Sequence, residues 1–99
     1  MKIFYVVCKN KEEAKKIAKH LLSKKLIACA NIFPIESLYW WQNKVIEDKE
    51  AVLICKTTEN FIEVEREIKK IHSYEIPCIL NFDVKVNKEY ENWAKSVIK

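Results

Sequence analysis

Residues 26–56 hold two extended apolar runs, and the rest of the chain must fit around them. The first passes from Leu26-Ile27-Ala28-Cys29-Ala30-Asn31-Ile32-Phe33-Pro34 to Leu38-Tyr39-Trp40-Trp41, the second is Ala51-Val52-Leu53-Ile54-Cys55, and Gln42-Asn43-Lys44 lies between them. This pattern predicts a long β-hairpin spanning roughly residues 27–56, with its tip at Trp41 to Lys44. No glycine is present at the tip. Asn is the non-glycine residue that most readily takes a positive φ, so Asn43 is expected to close the turn. Side chains alternate across a strand, so Trp40 faces opposite to Tyr39 and Trp41. A sheet covered on one side would leave at least one of these rings in water, and something must therefore cover both faces.

Ninety-nine residues, 49% hydrophobic and 32% charged, suit one globular domain over 1–99 with a single core. The opening Met1-Lys2 leads into Ile3-Phe4-Tyr5-Val6-Val7-Cys8 and then Lys9. That apolar run is too short for a membrane span or a signal peptide, so no membrane association and a cytoplasmic location are expected. The cysteines at 8, 29, 55 and 78 form no Cys-x-x-Cys pair. They read as buried free thiols rather than as a zinc ribbon or redox motif. The net charge of +4 comes from many lysines and one arginine, Arg66, interspersed with glutamates. Such spacing describes a solvated surface, not a nucleic-acid patch.

In chain order, Lys2 to Cys8 reads as a first strand with apolar residues on both faces. Asn10 and Glu13 form a capping-box pattern, followed by the stripe Ala14, Ile17, Ala18, Leu21 and Leu22 of a first helix. Pro34 has no N–H to donate and implies an edge position, bulge or bend in the hairpin's first strand. Thr57-Thr58 is expected to cap a second helix with the stripe Phe61, Val64, Ile68 and Ile71, Arg66 pointing outward. Pro77 then enforces extended geometry, and Cys78 to Val84 alternate as a fourth strand. Asn87 is expected to cap a third helix with the stripe Tyr90, Trp93, Ala94, Val97 and Ile98.

This order predicts an α/β (α+β) ferredoxin-like βαββαβ sandwich: an antiparallel sheet with two main helices on one face, and an extra C-terminal helix. The other face is left bare. Strands one and three are apolar on both sides, and the third helix is too short to cover them, so subunits are expected to pack sheet to sheet.

Four segments carry a resemblance: Ala28-Cys29-Ala30-Asn31-Ile32-Phe33-Pro34, Ser37-Leu38-Tyr39-Trp40-Trp41, Ile54-Cys55-Lys56-Thr57 and His72-Ser73-Tyr74-Glu75-Ile76-Pro77. Together, and over essentially the whole chain, they resemble the CutA family of divalent-cation tolerance proteins. The resemblance implies a ferredoxin-like subunit, a homotrimer joined through its long hairpins, a cytoplasmic setting, and a link to tolerance of copper and other divalent metal ions. No cofactor is required, and copper or another divalent cation is the candidate ligand. The chain departs from the family pattern at Glu36 and Asn43, where relatives usually have Gly. It departs again at Ser73, where many have Pro, and at Ile71, where some copper-binding members have a second histidine.

Cys8 and His72 match ligand positions of the family, and a thiolate with an imidazole suits copper or zinc. Glu75 is the candidate to complete the site. The alternative is a buried thiol, a surface histidine and a solvated glutamate. Tyr39, Trp40 and Trp41 read as trimer-interface anchors rather than a stacking platform. An RNA-recognition motif shares the topology but needs a Gly-aromatic segment that a glycine-free chain lacks, so no nucleic-acid partner is expected. Acylphosphatases also share it but place an arginine after the first strand, whereas Arg66 lies in the second helix, so the chain is not expected to be an enzyme. A small-molecule-sensing trimer without a functional metal site is the alternative function, supported by fold analogy alone.

Overall fold

The computed structural model describes residues 1–99. The elements are β1 (Lys2–Cys8), α1 (Lys11–Ser23), β2 (Cys29–Trp41), β3 (Lys44–Thr57), α2 (Phe61–Ile71), β4 (Ile79–Asp83) and α3 (Lys88–Val97). The strands form one antiparallel sheet in the order β2-β3-β1-β4, the arrangement expected of the ferredoxin-like pattern.

Register divides the side chains cleanly between the two faces. Phe4 pairs with Cys55, Val6 with Leu53 and Cys8 with Ala51, and all six are fully buried beneath the helices. From above, α1 contributes Ala14, Ile17 and Leu21 and α2 contributes Val64 and Ile68, while Phe61 stacks on Phe4 with ring centroids 5.7 Å apart. Leu22, read as part of the inner stripe, is exposed. The opposite face carries Ile3, Tyr5, Val7 and Ile54, which are half-buried, and Leu80 and Phe82, which are exposed. At one end of this face Lys56 sits over the Tyr90 ring of α3, 5.8 Å from its centroid. Of the α3 stripe only Ala94 is buried; Trp93 and Val97 are exposed, so this helix leaves most of the face open.

The chain meets its tight corners without glycine. Gln42 and Asn43 both have positive φ, 51° and 66°, as a two-residue type I′ hairpin turn requires, so Gln42 shares the strain expected of Asn43 alone. Lys25, φ 57°, ends α1: its N–H bonds to the Leu22 carbonyl and that of Leu26 to Leu21, a Schellman arrangement usually completed by Gly. Pro34 lies on β2 at the sheet edge.

Two caps differ from expectation. Asn60, not Thr57 or Thr58, caps α2, its side chain accepting the Glu63 N–H at 3.0 Å. Thr57 is instead fully buried at the end of β3, where its hydroxyl donates to the Leu26 carbonyl at 2.6 Å. Asn87 precedes α3 but makes no side-chain cap bond. The cysteines also differ among themselves: Cys8 and Cys55 are buried, Cys29 is half-buried and Cys78 is exposed, all as free thiols.

Candidate functional site

The end of β1, the first turn of α1 and the loop after α2 converge on three donor groups. Ligand atoms of Cys8, Glu13 and His72 all lie within 4.8 Å of one another. Cys8 and His72 therefore meet as their positions suggested. The carboxylate beside them, however, is Glu13. Glu75 is not in the group; it lies in the loop after α2, on the rim of a cavity on the open face.

Local hydrogen bonding explains why Glu13 turns inward. Asn10 caps α1 by accepting the Glu13 N–H at 2.8 Å, but the reciprocal bond runs from Lys9, whose N–H donates to Glu13 Oε1 at 2.8 Å. The second carboxylate oxygen accepts the Ser73 N–H at 2.9 Å, sixty residues along the chain. His72 is held from both sides. Its Nε2 donates to the Val7 carbonyl at 2.8 Å and its Nδ1 accepts the Tyr74 N–H at 3.1 Å, which fixes the Nε2–H tautomer. The sequence signal for Glu13 was its place beside Ala14 on the border of the buried stripe; its partner Ser73 carried none.

Burial pushes the Cys8 thiol up to about 12, and the negative charges of Glu13 and Glu50 add to the effect. Burial also opposes ionisation of Glu13, but the hydrogen bonds from Ser73 and Lys9 and the neighbouring His72 outweigh it, and its pKa falls below the ordinary glutamate value. By donor type, one sulfur, one nitrogen and one carboxylate, the group fits copper or zinc. By bonding it resists them: both Glu13 oxygens and both His72 nitrogens are already engaged, and the thiol is protonated at neutral pH. An ion would have to displace backbone hydrogen bonds to enter. As it stands, the cluster ties β1, α1 and the loop after α2 together.

The second feature is a cavity of about 880 Å³ on the open face, bounded by Ile35 to Trp41 of β2, by Tyr5 and Val7 of β1, by Glu50 of β3 and by Ser73 to Ile76 and Cys78. Tyr39, Trp40 and Trp41 line its outer side. Trp40 is 74% exposed and Tyr39 and Trp41 nearly 40%, so the subunit by itself buries none of the three residues fully. The Tyr39 hydroxyl donates to Asp48 at 3.2 Å. Glu50, at 7% exposure, forms the floor and accepts a hydrogen bond from the Tyr74 hydroxyl. Burial and this bond push the Tyr74 phenol well above its ordinary value. Neither residue was identified from sequence, although Glu50 continues the face of Val52 and Ile54, where an apolar residue would be expected.

Known proteins agree with this architecture over its full length. The family model for the CutA1 divalent ion tolerance protein matches residues 2–97. The divalent-cation tolerance protein CutA of Archaeoglobus fulgidus is 43% identical over 97 residues, 96% of this chain and 95% of that one. The crystal structure of CutA1 from Pyrococcus horikoshii superposes with a TM-score of 0.96 at 40% identity, covering 100% of this chain and 99% of the other. The PII-like protein CutA from Nostoc, in apo form, matches with a TM-score of 0.84 at 29% identity over 94% of this chain and 92% of its own. With the family model matched over residues 2–97 and relatives above 40% identical at near-complete coverage, this chain belongs to the CutA1 divalent ion tolerance protein family.

Proposed function

We propose that the chain acts in divalent-cation tolerance as a non-enzymatic homotrimer whose subunits pack through the open face of the sheet and the Tyr39-Trp40-Trp41 segment. The observation that carries this reading is the asymmetry of the sheet. One face is sealed by α1 and α2, while the other presents Leu80 and Phe82 about half exposed beside Ile3, Tyr5 and Val7. Apolar surface of this kind marks an interaction site, and flat aromatic rings are frequent anchors of interfaces. Light scattering on the native protein tests it, with a trimeric mass that persists at micromolar concentration as the expected result.

An acylphosphatase-like activity is disfavoured by Arg66, which is exposed on α2 and far in sequence from the loop after β1. A nucleic-acid partner is disfavoured by the acidic residues Glu36, Glu50 and Glu75 around the open-face cavity. The four free thiols suit a reducing compartment and favour the cytoplasm. The Archaeoglobus fulgidus structure is described as a periplasmic protein, so fractionation of the native host decides the location.

Copper binding at Cys8 and His72 is the second reading, favoured by the approach of the three donors to within 4.8 Å. Glu13 replaces Glu75 as the third group of that reading. Affinity is expected to be modest, because the ion must displace existing hydrogen bonds, and to weaken as pH falls, because protons compete for thiolate and imidazole. Copper titration of the native protein against Cys8→Ser and His72→Ala variants that keep their assembly is the test. Equal binding by all three sinks the metal reading and leaves the cluster a structural tie.

A further inference from the structure

Residues 11–25, which form α1 and the corner after it, contain Lys11, Lys15, Lys16, Lys19, Lys24 and Lys25 against Glu12 and Glu13, so this one segment holds the whole net charge of +4. Glu13 is turned inward, its oxygens taken by the N–H groups of Lys9 and Ser73, which leaves Glu12 as the only exposed acid of the helix. All six lysines are exposed, and none is ion-paired. The other helices differ: Lys69 and Lys70 of α2 pair with Glu65 and Glu67, and Lys88 of α3 pairs with Glu91.

Lys24 and Lys25 have a local reason for their place, since the helix macrodipole favours cations at a C-terminus. Lys11, Lys15 and Lys19 have none. They stand four residues apart on one row, each about 6 Å from the next along the helix axis, and like charges at that spacing oppose the helix. Lys11 also opens the first turn, where the dipole disfavours a cation. Leu22, 42% exposed, continues the row one turn on. The inner side of α1, with Ala14, Ile17 and Leu21, is fully buried against the sheet. The lysine row therefore lies on the other side of the molecule from the open face proposed for assembly.

We infer that this row is a docking surface for an acidic helix of a partner protein, whose carboxylates at four-residue spacing meet Lys11, Lys15 and Lys19 and whose next apolar residue meets Leu22. Charge complementarity and the shared helical repeat point to this occupant. Phosphate groups are held best by the planar fork of arginine, and the exposed side of α1 has no arginine, asparagine, glutamine or aromatic ring with which to read a nucleic acid. Helices that lie on membranes bury an apolar face in the lipid, whereas that of α1 is committed to the core. Docking here goes beyond the trimer and the Cys8 cluster and depends on neither.

The test is fluorescence anisotropy of the native protein with a dye-labelled, alanine-rich peptide bearing Glu at every fourth position and a terminal Leu, at physiological ionic strength, where surface attraction is screened beyond about 8 Å. Saturable binding is expected. Lys15→Glu with Lys19→Glu should weaken it by roughly tenfold or more, whereas Lys85→Glu with Lys95→Glu, an equal change of net charge at exposed sites outside α1, should leave it within about twofold. Lys15→Gln with Lys19→Gln keeps helix-forming residues in place and should weaken binding as well. Circular dichroism and light scattering on every variant follow fold and assembly separately. Absence of peptide binding overturns the inference, and so does equal weakening by the two charge-reversed variants, which reduces the effect to net charge. Equal binding of a peptide with the same composition and its Glu residues in one block overturns the match of repeats. Tighter binding to phosphatidylserine vesicles or duplex DNA than to the peptide overturns the inference too, by giving the row to a membrane or a nucleic acid.

Discussion

Replacing Glu13 with Ala should be among the most destabilising single changes at a polar residue of α1. The carboxylate accepts two backbone N–H groups, from Lys9 at 2.8 Å and Ser73 at 2.9 Å, and is 7% exposed. Hydrogen bonds to a charged group contribute about 1.5–3 kcal/mol each. Lys9 and Ser73 are both exposed residues, so water can recover part of that loss. The expected cost is therefore about 2–4 kcal/mol rather than the full sum. Glu13→Gln keeps one acceptor oxygen but turns an amide N–H toward the other donor, and should lose roughly half as much. Guanidinium unfolding at fixed protomer concentration provides the readout, since the proposed assembly would make apparent stability depend on concentration. Glu12→Ala, an exposed change in the same helical turn, serves as the control and should stay within about 0.5 kcal/mol of the native protein. If Glu13→Ala were as mild as Glu12→Ala, the tie between β1, α1 and the loop after α2 would carry no energetic weight.

Three further outcomes follow from the same structure. Truncating Trp40 and Trp41 together to Ala should weaken assembly by several kcal/mol, on the scale of interface hot spots, and shift the light-scattering mass downward on dilution; an unchanged mass over the same range refutes their role as anchors. Glu67 accepts from Lys70 and His20, and these bonds lower its pKa to about 2; its stabilisation is complete above the ordinary glutamate value of about 4.3 and is lost as pH falls from there through about 2. Acid unfolding curves should then show a steeper low-pH limb for the native protein than for Glu67→Gln, and parallel limbs contradict the linkage. Burial pushes the Cys8 and Cys55 thiols up to about 12, so neither should react with iodoacetamide in the native state at pH 8, and peptide mapping that finds them alkylated before unfolding contradicts the burial.

The fold was legible because the signals that fix it are local. Alternation in Lys2–Cys8, the two apolar runs of the hairpin and the 3.6-residue stripe Ala14, Ile17, Ala18 and Leu21 each read off without reference to distant residues. Bonds between distant segments were not legible in the same way. The capping-box spacing pointed Glu13 at Asn10, whereas the fold brings Ser73 within reach of one oxygen and Lys9 of the other. Thr57 looked like a cap because hydroxyls favour that position, but its backbone continues β3, and the cap passed to Asn60. Glu75 matched a metal reading by proximity in sequence to His72, yet it borders the open-face cavity, and the carboxylate that reaches the cluster comes from α1. The Glu50–Tyr74 contact joins β3 to a loop 24 residues on and needed the register of the sheet to appear.

The central claim, that the open face of this sheet is covered by copies of the same chain, is tested most directly by the absolute mass of the native protein in solution. Static light scattering at micromolar concentration should give three chains of 11.8 kDa, about 35 kDa, unchanged on tenfold dilution. A mass of 11.8 kDa would contradict the account, because Leu80, Phe82 and the Tyr39-Trp40-Trp41 segment would then stand in water with nothing to cover them.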